Sequence, residues 1–170
     1  RNLRVTKRVV AAVATAALGA TLLALPTSPV GATSTVASVR ITGADREATS
    51  VAIAAAASAG GGTFNADPTQ VVLASSRSYA DSVTASALAG HLNGTIILLP
   101  ADGSLSAAAK AELAGATDVY IVGGTAVVPA TVEAAVQAAS VGIPTAFTRL
   151  GGATRYETMA AVATAIGTPG

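Results

Sequence analysis

Val71–Leu99 reads VVLASSRSYADSVTASALAGHLNGTIILL: an apolar run, a polar stretch, an alanine-rich segment and a second apolar run. Val71-Val-Leu-Ala74 and Thr95-Ile-Ile-Leu-Leu99 are apolar on successive residues, the pattern of strands buried on both faces. Between them Asp81–Ala89 reads as a helix, with its acid placed at the positive helix N-terminus. The pattern continues outward. Val119-Tyr-Ile-Val122 predicts another buried strand, and weaker strands are expected at Thr145–Arg149 and Val36–Ile41. Helices are expected from about Asp45 to Ala59, with Asp45 as N-cap and Gly60-Gly-Gly62 as the stop. Others should follow Ser104 through Ala114, span about Pro129–Ala139 with proline in the first turn, and run from near Arg155 to before Gly167. Strands alternating with helices predict an α/β fold, a mainly parallel sheet flanked by helices.

The chain has 170 residues, 51% hydrophobic, 11% charged and 3% aromatic, with no Cys, no Trp and one His. Without cysteine there is no disulfide framework, thiolate metal site or Cys nucleophile. His91 alone falls short of a zinc centre. It stands beside Gly90 near a predicted helix end, where capping is the simpler role. No Ser, His and acid form a nucleophile arrangement, and no paired acids suggest glycosidase chemistry. Catalytic residues, metals and cofactors are therefore not expected, and the reading is of a non-enzyme. The low aromatic content also argues against lectin-like sugar-stacking platforms.

Residues 1–32 read as a secretory signal. Four basic residues (Arg1, Arg4, Lys7, Arg8) precede the apolar run Val9–Leu25, and small residues at Val30 and Ala32 favour cleavage after Ala32. An uncleaved anchor is the rival, although this run is at the short end for a membrane-spanning helix. The expected address is secreted, at the cell wall or cell surface, with membrane contact only in transit. Setting residues 1–32 aside leaves six basic and nine acidic residues, a net charge of −3. A basic nucleic-acid surface is not supported. The remaining residues are enough to bury roughly two-thirds of their surface.

Arg40-Ile-Thr-Gly-Ala-Asp-Arg-Glu-Ala-Thr-Ser50 returns 109 positions later as Arg149-Leu-Gly-Gly-Ala-Thr-Arg-Tyr-Glu-Thr-Met159. Arg40/Arg149, Gly43/Gly152, Ala44/Ala153, Arg46/Arg155, Thr49/Thr158 and Ala52/Ala161 are identical pairs. The expected organisation is a linker at 33–38, a complete repeat at 39–147 and the start of a second at 148–170, one unit of a tandem array.

These residues resemble the type 2 cell-wall-binding repeats of Gram-positive surface proteins. The R-[LI]-x-G-x-[DT]-R-Y-x-T-like opening is present as Arg149–Thr158 and, more worn, as Arg40–Thr49. The strand, loop and Asp-led helix of Val71–Asp81 follow, then Ile96-Ile-Leu-Leu99 for the family's P-I-L-L strand, then Val119-Tyr-Ile-Val-Gly-Gly124. The resemblance covers about residues 39–166. Ile96 replaces the family's Pro, Ser76 a usual Gly, and Glu47-Ala48 the usual Tyr-Glu. The resemblance implies non-covalent anchoring to anionic, teichoic-acid-like wall polymers, usually through three such repeats packed as a pseudo-trimer. Arginines and the P-I-L-L region are implicated in that anchoring.

Guanidinium groups suit this chemistry, because they offer bidentate hydrogen bonds to phosphate or carboxylate. Four of the six basic residues after Ala32 are Arg40, Arg46, Arg149 and Arg155. Polymer contact is one reading; pairing with Asp45, Glu47 or Glu157, or holding neighbouring repeats, is the other. Ile96, Ile97, Leu98 and Leu99 carry a polymer role by resemblance and a core-strand role by pattern. Gly123-Gly124 invites a phosphate loop, but without G-x-G-x-x-G or G-K-[ST] a tight turn is favoured. The function expected is anchoring of an exported protein to the cell wall. Alternatives are a ligand- or nucleotide-binding α/β domain, or the anchor of a larger exported hydrolase.

Overall fold

The computed structural model describes residues 38–59, 66–140 and 146–167. The leader, the linker to residue 37 and the Gly60–Gly62 stop lie outside them. From Val39 onward the described residues belong to one unit. Its elements are α1 (Arg46–Ser58), β1 (Gln70–Ser75), α2 (Tyr79–Leu92), β2 (Thr95–Leu99), α3 (Ala107–Leu113), β3 (Asp118–Val122), α4 (Thr131–Ala139), β4 (Ala146–Leu150) and α5 (Arg155–Gly167). The four strands form one sheet in the order β2-β1-β3-β4. Every pairing is parallel, with Leu73 opposite Ile97 and Ile121, and Ile121 opposite Arg149.

Side chains alternate between the two faces of a strand, and the core divides accordingly. Val71 and Leu73 join Ile97, Leu99, Val119 and Ile121 on the face covered by α1, α3 and α4. Val72 and Ala74 join Val122, Leu88 and Val162 on the face covered by α2 and α5. Central β1 is buried from Val71 through Ser75, whereas edge strand β4 is only half-buried or exposed. The apolar runs of β1 and β3 thus mark the sheet's centre, as parallel packing under two helix layers demands, whereas the run expected to be buried on both faces at Thr95–Leu99 is edge strand β2, with Ile96 and Leu98 only half-buried.

Local signals explain the element ends. Asp45 caps α1 by accepting the Ala48 N–H at 2.7 Å, and Ser106 caps α3 by accepting the Ala109 N–H at 3.1 Å. Helix α2 starts two residues before the expected Asp81 and ends at Leu92. Its C-cap is Asn93, at φ 53°, in the left-handed conformation that Asn tolerates; His91 lies exposed in the last turn. Helix α4 begins at Thr131, so Pro129 sits just ahead of the first turn rather than in it. The strand expected at Val36–Ile41 is not formed over its described part, residues 38–41. Its counterpart β4 does form, because it has the edge of β3 to pair with.

Candidate functional site

Three loops meet at the carboxyl ends of the strands. After β1 the chain turns through Ser76 and Arg77 into α2; after β3 it turns through Gly123-Gly124; after β4 it turns through Gly151–Thr154 into α5. The chain leaves β1 toward β2 on one side and then crosses to β3 on the other. The gap between β1 and β3 is therefore the topological switch point, where open parallel sheets leave a crevice for ligands. The crevice here has a volume of about 470 Å³, and all three loops line it.

Each loop is fixed by its own hydrogen bonds. The Ser78 hydroxyl donates to Asp81 Oδ2 at 2.5 Å, and the Ser82 hydroxyl donates to the Ser75 carbonyl at 2.7 Å. Asp81 is buried against Gly123, and a Cβ at Gly123 would lie 3.4 Å from its Oδ2. Gly123 takes φ +119°, its N–H donates to the Leu150 carbonyl at 2.9 Å, and the Gly124 carbonyl accepts from the Val127 and Val128 N–H groups. This is the tight turn favoured from sequence. Gly151 lies against it so closely that a Cβ there would come within 2.6 Å of the Gly123 backbone carbon. In the third loop, Thr154 and Glu157 exchange hydrogen bonds, the Thr154 N–H to Glu157 Oε2 and the Glu157 N–H to Thr154 Oγ1. That reciprocal pair is a capping box.

Two exposed guanidinium groups line this crevice, Arg77 from the first loop and Arg155 from the third. The first turns of α2 and α5 add the positive ends of two helix dipoles. Against them stands one buried carboxylate, Asp81, held by Ser78. The balance is cationic in a domain whose overall charge is negative, and the donors suit a phosphate or carboxylate.

The other expected site residues are placed differently. Arg46 donates through Nη1 to the Ser76 carbonyl at 3.0 Å, which ties the start of α1 to the β1–α2 loop. Arg149 is spent within the fold: Nη1 donates to the Gly123 and Val128 carbonyls at 3.1 and 3.0 Å, and Nη2 pairs with Glu133 at 3.1 Å. Arg40 is exposed on the irregular segment before α1. Ile97 and Leu99 are core residues, while Ile96 and Leu98 are half-buried beneath an apolar groove at the outer edge of β2. The end of β2 and Pro100 line a separate hollow shared with Asp45 and Glu47, which brings acids rather than arginines to it. The arginine crevice and the Ile96–Leu99 region are thus two places, not one. Sequence reasoning passed over Arg77. Its signal was position, just after the most deeply buried strand of a parallel sheet. Among the described residues no group of three or more His, Asp or Glu could hold a metal ion.

The profile of the family described as Cell wall binding domain 2 (CWB2) matches residues 40–133, more than half of the chain. Among solved structures, Cwp8 from Clostridium difficile is similar over 72% of this chain and 19% of its own, at 27% identity and a TM-score of 0.58. Cwp6 from the same organism is similar over 78% of this chain and 21% of its own, at 26% identity and a TM-score of 0.60. The chain therefore spans about a fifth of the length of either protein. No curated protein sequence matches.

Proposed function

The chain belongs to the Cell wall binding domain 2 family, and from that premise we propose that it anchors an exported protein to the cell wall by gripping an anionic secondary wall polymer. The observation that carries this reading is the pairing of Arg77 and Arg155 across one crevice, flanked by the starts of α2 and α5. The crevice holds and does no chemistry: charged groups on the polymer take the guanidinium donors, and repeated units multiply weak contacts. Arg46 orients the β1–α2 loop that presents Arg77, and Arg40 extends the cationic surface. Arg149 keeps the second loop, between β3 and α4, in place, and Ile96–Leu99 support the sheet edge. The leader at 1–32 carries the protein out, and the polymer is of the teichoic-acid class.

Co-sedimentation with purified walls tests this. Half the walls are stripped of anionic polymers and salt is varied. Binding should vanish on stripping and weaken with salt. Arg77→Ala and Arg155→Ala should each lower affinity by about tenfold, the loss of one charge-assisted contact. Equal binding to stripped walls would sink the polymer assignment while leaving wall association standing.

A further inference from the structure

Helices α2 and α5 each carry an acid three residues after the residue that precedes the helix, and the two acids are used in opposite ways. Glu157 follows Thr154; its carboxylate accepts the Thr154 N–H, lies exposed and caps α5. Asp81 follows Ser78, whose N–H goes instead to the Ser75 carbonyl and whose side chain caps nothing. The Ser78 hydroxyl donates to Asp81 Oδ2, and the carboxylate turns inward, where Asp81 is 5% exposed in the lining of the crevice. Among the described residues Asp81 enters no ion pair; the pair there is Arg149 with Glu133. A buried carboxylate is costly in itself, and beside a bound anion it also repels the ligand.

The charged side chains lining the crevice are Arg77, Arg155 and Asp81, two positive against one negative, a net of +1. Farther out the balance holds: Arg46 on the Ser76 carbonyl is offset by Glu157 on the Thr154 N–H, and Arg149 by Glu133. Attraction to such a site rises in proportion to the ligand's charge, whereas the cost of stripping water from the ligand rises with the square of that charge. A weaker positive potential therefore shifts the best-bound ligand toward a single negative charge. We propose that Asp81 is a specificity-determining residue of the crevice, selecting the singly charged phosphodiester over the doubly charged phosphomonoester. This rests on the crevice being the polymer site, and it names the part of the polymer that is held. The crevice takes an internal linkage of a phosphodiester chain, not a phosphorylated chain end. Every internal linkage is then an equivalent foothold, and compounds ending in a phosphate dianion compete poorly.

A matched pair of probes tests this: dimethyl phosphate, with one charge, and methyl phosphate, which carries two at about pH 8, above its second pKa of about 6. Both are titrated at equal ionic strength into the isotope-labelled chain, and binding is followed by NMR at the Gly124 and Arg155 amides of the crevice. The diester should bind about tenfold more tightly. Asp81→Asn keeps an acceptor for the Ser78 hydroxyl and removes one negative charge, a change that the dianion feels twice as strongly as the monoanion. The tenfold preference should then fall to about none. Ala126→Lys makes the same change of one charge from an exposed lining position, and it decides the matter where Asp81→Asn does not fold. Tighter binding of the monoester by the parent chain, or a preference that the folded variant leaves unmoved, would overturn the proposal while leaving the crevice an anion site. Failure of both probes to bind the folded chain would remove the anion site itself, and the polymer reading with it.

Discussion

Arg149 shows how far one side chain's role depends on what surrounds it. Its identity with Arg40 in the repeated opening made it a candidate for polymer contact, yet its donors meet two carbonyls of the β3–α4 loop and Glu133. The ion pair itself is half-exposed and contributes little; the carbonyls matter more. Arg149→Ala should lower stability in urea unfolding by about 1–3 kcal/mol, because the carbonyls of two buried residues, Gly123 and Val128, lose their partner. A variant as stable as the parent but defective in wall binding would reverse that assignment. Sequence alone could not separate the two roles, since a guanidinium satisfied by backbone and one facing solvent are written with the same letter. Arg77, without a counterpart in the repeat comparison, was invisible for the opposite reason: its significance comes from the topology that carries three loops to one place.

At the scale of elements, legibility followed burial. The runs at Val71 and Val119 stood out because strands covered on both faces must be apolar throughout, the run at Thr95 stood out although its strand lies at the edge with Ile96 and Leu98 half-buried, and Asp45 was recognisable because a cap needs a short acceptor. The segment at 38–41 failed as a strand although its counterpart at 146–150 succeeded. A strand's existence depends on an edge to join, and no local residue encodes that. Helix α1 illustrates the same dependence. It lies against the outer edge of β2, where Ser50 Oγ accepts the Leu98 N–H at 2.9 Å and so satisfies an edge donor that no strand pairs. Ser50→Ala should cost about 1–3 kcal/mol, the penalty for stranding that donor, and should speed amide exchange at Leu98 more than at Ile97. Unchanged exchange at Leu98 would show that the hydroxyl is dispensable.

For the whole molecule, pH acts at two turns, around Asp67 and Asp102. The Thr69 hydroxyl and then its N–H hold Asp67 below the usual 3.8, and the Ser104 N–H and then its hydroxyl do the same for Asp102. A folded-state pKa below the unfolded one gives stability that is present above 3.8 and lost as pH falls through the lower folded value. The double variant Asp67→Asn, Asp102→Asn should therefore be less stable than the parent at neutral pH, with the gap closing below 3.8. A gap that persists in acid would assign the effect to something other than ionisation. The sheet carries a consequence of another kind, one of timing. Its last strand in sequence, β4, stands at an edge and pairs with β3. A chain synthesised from its N-terminus completes β1, β2 and β3 before β4 emerges, and until then the edge of β3 stays bare. The sheet is thus closed last by β4, so its folding advances in the direction of synthesis and leaves the unfinished edge on the side of the growing chain.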